Sequence, residues 1–85
     1  MFSMSETRPK RRKASKLREI FAANIVLHRH RLGLTQDQLA DMCEYHRTYI
    51  GSVERGERNI TLATIEAFAQ AFRVDPYTLL VLSDD

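Results

Sequence analysis

Apolar residues recur along this chain at intervals of three and four, and nowhere in the strict alternation of a strand. The first periodic stretch begins near Ser15. Leu17, Phe21, Ile25, His28 and Leu32 share one helical face, and Gly33 is a natural stop. TQDQ, residues 35–38, has the form of a capping box, with Thr35 at the N-cap of a second short helix and Gln38 at N3. Leu39 and Met42 are expected to point inward from it, and Ala40 permits close packing. CEYH (43–46) reads as a turn. A third helix runs from Arg47 to Arg55 and ends at Gly56. After the loop GERNIT, Thr61 caps a fourth helix that carries Leu62, Ile65, Phe68, Ala69 and Phe72 inward. RVDP breaks it, and Asp75 as N-cap with Pro76 at N1 opens a fifth, from Tyr77 to about Leu82.

The pattern predicts an all-α domain of five short helices over residues 15–85. The short turn between the second and third helices, with Ala40 at their crossing, is the sequence form of a helix-turn-helix. Residues 1–14 show no apolar periodicity and are expected to be a disordered basic N-terminal arm.

Eighty-five residues make one small domain, which buries only about 60% of its unfolded surface. A lone cysteine, Cys43, excludes an internal disulfide framework and suits a reducing compartment. No run approaches the ~18 apolar residues of a membrane span, and no apolar core follows the N-terminal charges as in a secretory signal. The expectation is a soluble cytoplasmic protein. The net charge of +2 conceals an asymmetry. Residues 1–18 carry seven basic side chains against one acidic, and residues 19–85 six against ten. A nucleic-acid or anionic-surface partner and a merely solubilising tail both fit that asymmetry.

The third helix raises the sharper question. In RTYIGSVERG (47–56), Ile50 and Val53 share one face, which leaves Arg47, Thr48, Gly51 and Ser52 on another. Small polar side chains beside one long cation suit the approach of a bulky anion. Arg47 can take a guanine through O6 and N7, a bidentate pair worth about 1–3 kcal/mol of discrimination. Thr48 and Ser52 can hydrogen-bond bases or touch a thymine methyl. Gln36 adds a donor near a helix N-terminus aimed at a phosphate. The competing readings are an Arg47–Glu44 surface pair and ordinary solvated hydroxyls.

GLTQDQLAD followed by RTYIGSVERGERNIT resembles the Cro/CI-type, or XRE-like, helix-turn-helix family, and looks most like the controller proteins of restriction–modification systems. The resemblance covers about residues 25–79. It implies a lambda-repressor-like fold and a homodimer reading a two-fold related operator on double-stranded DNA. By resemblance Thr35 and Gln36 meet a phosphate, while Arg47, Thr48 and Ser52 read base edges. Tyr49 touches backbone or bases, and Arg55, Arg58 and Asn59 grip the next phosphates. Arg29 and Glu54 match a buried ion pair joining the first helix to the recognition helix. Glu44 stands where the turn usually has Gly, His46 where Ser, Thr or Asp caps the third helix, and His28 where the core usually has Leu. Gly51 replaces a residue that often reaches DNA, and Val26 and Leu27 replace two that are usually charged.

No nucleophile–base–orienter set, Gly-rich phosphate loop or carboxylate pair is visible, so an enzyme is not expected, nor a cofactor or small-molecule ligand. A zinc site from Cys43, His46, His28 and His30 lacks a second paired motif, and no metal is expected. Tyr77, Leu79, Leu80, Val81 and Leu82 are too apolar to all face the core of so small a domain, and read as a symmetric dimer patch. The combined reading is a dimeric, sequence-specific DNA-binding transcriptional regulator. The alternative is an antitoxin-like interaction module whose apolar C-terminus binds a partner protein and which regulates its own synthesis. A third reading is non-specific RNA or nucleoid binding through the tail.

Overall fold

The computed structural model describes residues 15–82. Both the expected N-terminal arm and the last three residues lie outside them. The described residues form four α-helices and one short 3-10 helix: α1 Ser15–Arg31, α2 Gln36–Cys43, α3 Arg47–Glu54, α4 Leu62–Phe72, and the 3-10 helix Pro76–Leu80. No strand occurs among them. The domain is all-α, but the fifth element is not the α-helix that the sequence predicts.

Local chemistry sets the helix ends. Thr35 Oγ1 accepts from Gln38 N at 3.1 Å while Gln38 Oε1 accepts from Thr35 N at 2.8 Å, so the capping box is complete. His46 proves to be the N-cap of α3 in place of a hydroxyl or carboxylate: its Nδ1 accepts from Thr48 N at 3.1 Å. Thr61 caps α4 through Thr64 N. Glu44 and Arg73 end α2 and α4 in the left-handed region, each at φ 60, a conformation that favours glycine.

The core is built from one stripe per helix. Phe21 and Ile25 of α1 meet Leu39 and Ala40 of α2, Ile50 and Val53 of α3, and Ile65, Phe68, Ala69 and Phe72 of α4, with Leu79 closing one end. Phe68 lies at the centre, edge-on to Phe21 with ring centroids 5.8 Å apart. His28 stacks on Phe72 at 5.4 Å, and burial, with Arg31 nearby, lowers its pKa, so the neutral ring is favoured at this core edge.

Four apolar residues expected in the core lie at the surface. Leu17 and Leu32 sit at the two extremities of the α1 stripe and are half exposed. Met42 is 50% exposed because the inward stripe of α2 runs through Gln36, Leu39, Ala40 and Cys43, and Met42 falls outside it. Leu62, the first residue of α4, has nothing over it and is 80% exposed.

The C-terminal segment has its own logic. Asn24 is buried in α1, and its amide donates to Leu79 O at 2.9 Å and to Val81 O at 2.8 Å. Those carbonyls thereby accept from a side chain of α1. Val81 follows the 3-10 turn in extended conformation. A strap tied to α1 replaces the predicted helix.

Candidate nucleic-acid interface

Helices α2 and α3 pack on each other through Leu39, Ala40 and Ile50, and one ionic cluster ties them to α1. The Arg29 guanidinium grips Glu54 from both sides, Nε to Oε2 at 2.6 Å and Nη2 to Oε1 at 3.1 Å. Gln36 Nε2 donates to Glu54 Oε1 at 2.9 Å, and Arg29 Nη1 donates to Leu34 O at 2.9 Å. The pair is 13% and 7% exposed, as expected for a buried bridge. One carboxylate at the end of α3 thus holds α1, the start of α2 and α3 in register.

Beyond this frame the outward side of α3 carries Arg47, Thr48 and Arg55. Arg47 Nε lies 3.5 Å from Asp37 Oδ1, with both side chains largely exposed, so its partner is Asp37 and not Glu44. Such a surface pair is worth at most about 1 kcal/mol. Asp37 therefore holds Arg47 only loosely. Gly51 is buried beneath its neighbours: a Cβ there would stand 3.1 Å from Arg55 Nη1 and 3.9 Å from Gln36 Oε1. The missing side chain at residue 51 is the space that the Arg55 guanidinium occupies.

Not every expected contact residue is free. Ser52, placed by the sequence on the outward face, is 5% exposed; its Oγ donates to Tyr49 O at 2.7 Å and accepts from Arg58 Nε at 2.9 Å. Arg58 also lies over the Tyr49 ring, 5.3 Å from its centroid, and Tyr49 rests against Tyr45 at 4.9 Å. Tyr49, Ser52 and Arg58 therefore form a braced shoulder rather than three loose contacts. Arg55 Nε reaches Glu57 Oε2 at 3.1 Å, and that hydrogen bond, with the charges of Arg55 and Arg58, lowers the Glu57 pKa. Thr35 spends its side chain and its N–H in the capping box, which leaves the Gln36 and Asp37 N–H groups at the open end of α2. Asn59 is exposed in the following loop.

A family model described as helix-turn-helix matches residues 28–79. The chain belongs to the helix-turn-helix family, in its Cro/CI-type branch. It is 47% identical over 64 residues to the control protein C.SmaI of Serratia marcescens, spanning 75% of this chain and 76% of that one. Its fold is similar to that of the restriction–modification controller protein C.AhdI from Aeromonas hydrophila, with a TM-score of 0.70 at 35% identity over 73% of this chain and 94% of that one. A controller protein solved as a tetramer with its natural 35 base-pair operator, C.Esp1396I, superposes with a TM-score of 0.68 at 30% identity, covering 74% of this chain and 83% of that one.

Within this helix-turn-helix unit the sequence reading missed two positioning residues. Asn24 is one; a lone Asn within the apolar stripe of α1 was the available signal. Tyr45 is the other: its hydroxyl meets Thr64 Oγ1 at 3.1 Å and its ring touches both Tyr49 and Phe68, which anchors the turn before α3 to α4. Of the apolar C-terminal residues, Leu79 is wholly buried in the core and Leu80 packs partly against it, so Leu79 is withdrawn from the dimer patch. Tyr77, Val81 and Leu82 remain exposed, and Leu82 borders a groove with Ile20, Ala23, Val26 and Leu27 of α1. Cys43 is half-buried and donates to Ala67 O, and burial raises its thiol pKa to about 11. Among the described residues no group of three or more His, Cys, Asp or Glu could hold a metal ion. No described helix is long and apolar enough to cross a membrane.

Proposed function

We propose that this protein is a sequence-specific double-stranded DNA-binding transcriptional regulator of the restriction–modification controller kind, a homodimer acting on a palindromic operator. It regulates and does not catalyse. The observation that carries the reading is the outward side of α3. There Arg47, paired only at the surface with Asp37, and Thr48 stand exposed on a short helix held rigidly by the Arg29–Glu54–Gln36 cluster. A helix so held can enter the major groove with its first residues against base edges, while α2 crosses the backbone.

Arg47 and Thr48 are the base readers in this account. Gln36, Arg55, Arg58 and Asn59, with the N-terminus of α2 set by Thr35, supply phosphate contacts. Ser52 acts as a brace for Arg58, and Tyr49 as the platform beneath it. The dimer forms through Tyr77, Val81 and Leu82 with Val26 and Leu27, which places two recognition helices for half-sites about one turn, ~34 Å, apart.

The test is selection from random duplexes followed by sequencing, with wild type and Arg47→Ala in parallel. Wild type is expected to return a palindromic consensus. Arg47→Ala is expected to flatten preference at one base pair of each half-site by about tenfold or more while retaining salt-sensitive binding. A wild-type protein that selects no consensus would end the regulator reading. Full discrimination by the Arg47→Ala variant would remove Arg47 as reader.

A further inference from the structure

Gly51 is out of place by the ordinary rules of helices. It lies in the middle of α3, where glycine is destabilising relative to alanine. Gly33 and Gly56 stand at positive φ, where a turn requires glycine, but Gly51 does not. Its backbone therefore has no need of glycine. What the position uses is the lack of a Cβ.

The space that results belongs to Arg55. Arg55 is the C-cap of α3, and its backbone N–H donates to Gly51 O at 3.1 Å. Helical side chains lean back over the turn that precedes them, and Arg55 leans over Gly51. Its Nη1 stands 3.1 Å from the place a Cβ on Gly51 would take, and Gln36 Oε1 lies 3.9 Å from the same place. The guanidinium is thus carried about one turn, ~5.4 Å, back toward the Arg47 end of α3. Glu57 takes Nε at 3.1 Å, and the two Nη groups have no hydrogen-bond partner among the described residues. Arg55 is 60% exposed, so those groups face solvent at the junction of α2 and α3. The first Cβ at residue 51 would push Nη1 by a few tenths of an ångström, and a longer side chain would take its whole place.

We propose that Gly51 is a positioning residue for DNA binding: its bare backbone sets the Arg55 guanidinium beside Gln36, where it takes a backbone phosphate of the duplex. The inference rests on the DNA-binding reading of α3 and names the residue that fixes where one of its phosphate contacts is made. A phosphate contact carries no sequence information, so Gly51 sets affinity and salt dependence and leaves base preference alone.

The test compares the full chain with Gly51→Ala, Gly51→Leu, Arg55→Ala and the Gly51→Leu/Arg55→Ala double variant. Binding is titrated against salt on a selected operator and on a scrambled duplex. Arg55→Ala is expected to lose about 0.9 per protomer from the log–log salt slope, and about fivefold per protomer in affinity at 0.15 M salt. Gly51→Leu should show most of the same loss although no charge has been removed, and Gly51→Ala about twofold or less. The double variant should bind no worse than Arg55→Ala, and the operator-to-scrambled ratio should stay constant throughout. Thermal unfolding should place both Gly51 variants at or above wild type, since each replaces a helical glycine; if leucine unsettles α3, Gly51→Met gives the same reading. Wild-type affinity and slope in Gly51→Leu overturn the proposal. So does a Gly51→Leu loss that persists undiminished in the Arg55→Ala background, which would mean that residue 51 meets DNA itself. Failure of the α3 reading is separately visible: the wild type would then select no operator, while slopes on the scrambled duplex would still report the coupling of Gly51 to Arg55.

Discussion

Glu54 holds three hydrogen bonds on one carboxylate, two from Arg29 and one from Gln36, and it is the last residue of α3. A buried carboxylate persists only when its lone pairs are met, and here donors from two helices, α1 and α2, meet them. Glu54→Ala is therefore expected to destabilise the domain by about 3–5 kcal/mol, since it leaves the Arg29 charge unpaired in a largely buried place. Gln36→Ala removes one partner of an otherwise satisfied pair and should cost about 1 kcal/mol. Urea unfolding of both variants checks the ranking; equal and small effects would mean that the cluster is solvated and holds nothing. The Arg29–Glu54 pair was legible in the sequence because both residues match fixed motif positions. Ser52 was not legible. Helical spacing puts it on the side of Thr48, but spacing does not show that Arg58, six residues later, folds back over it.

At the scale of elements, the helices that the sequence predicted best are those with a cap at the start and a periodic stripe behind it. α2 and α4 begin where Thr35 and Thr61 said they would. The strap after Pro76 was misread because its conformation depends on Asn24, more than fifty residues earlier in the chain, and no local pattern encodes that contact. Met42 and Leu62 were misread for a simpler reason: each is one residue of a correct helix that lies off the buried stripe or past its edge. The two left-handed helix ends make a prediction of their own. Glu44 and Arg73, both exposed, hold φ 60, where a Cβ costs about 1–2 kcal/mol and glycine costs nothing sterically. Part of that gain is offset by the entropy glycine loses on folding. Glu44→Gly and Arg73→Gly are each expected to stabilise the domain by roughly 0.5–1 kcal/mol. Glu44 and Arg73 line one groove with Cys43 and Gln70, so the double variant reads whether the two gains are coupled. A neutral or destabilising result in thermal melts would show that the side chains, and not the backbone, decide these ends.

The proposed dimer has to hold two recognition helices at a fixed separation, and the strap is the contact between copies that the proposal assigns. Tyr77, Val81 and Leu82 are 67%, 51% and 73% exposed, and Leu82 borders an apolar groove on α1. In so small a domain that exposed apolar surface is a liability unless a partner covers it. Asn24 sets its geometry: two carbonyls of the strap hang from one buried amide. The two residues can be separated by experiment. Leu82→Asp changes only the exposed rim and should leave the stability of the monomer within about 0.5 kcal/mol, yet weaken self-association at least tenfold by putting a charge into an isologous contact twice. Asn24→Ala leaves Leu79 O and Val81 O unpaired and should cost the fold about 1–3 kcal/mol, with weaker self-association as the strap loosens. Sedimentation equilibrium over a dilution series, beside urea unfolding of the same samples, reads both quantities. If Leu82→Asp dimerises like wild type while Asn24→Ala does not, the partner contact lies elsewhere and Asn24 acts through the fold alone. If both weaken the dimer and only Asn24→Ala weakens the fold, the strap is the surface that spaces the two recognition helices.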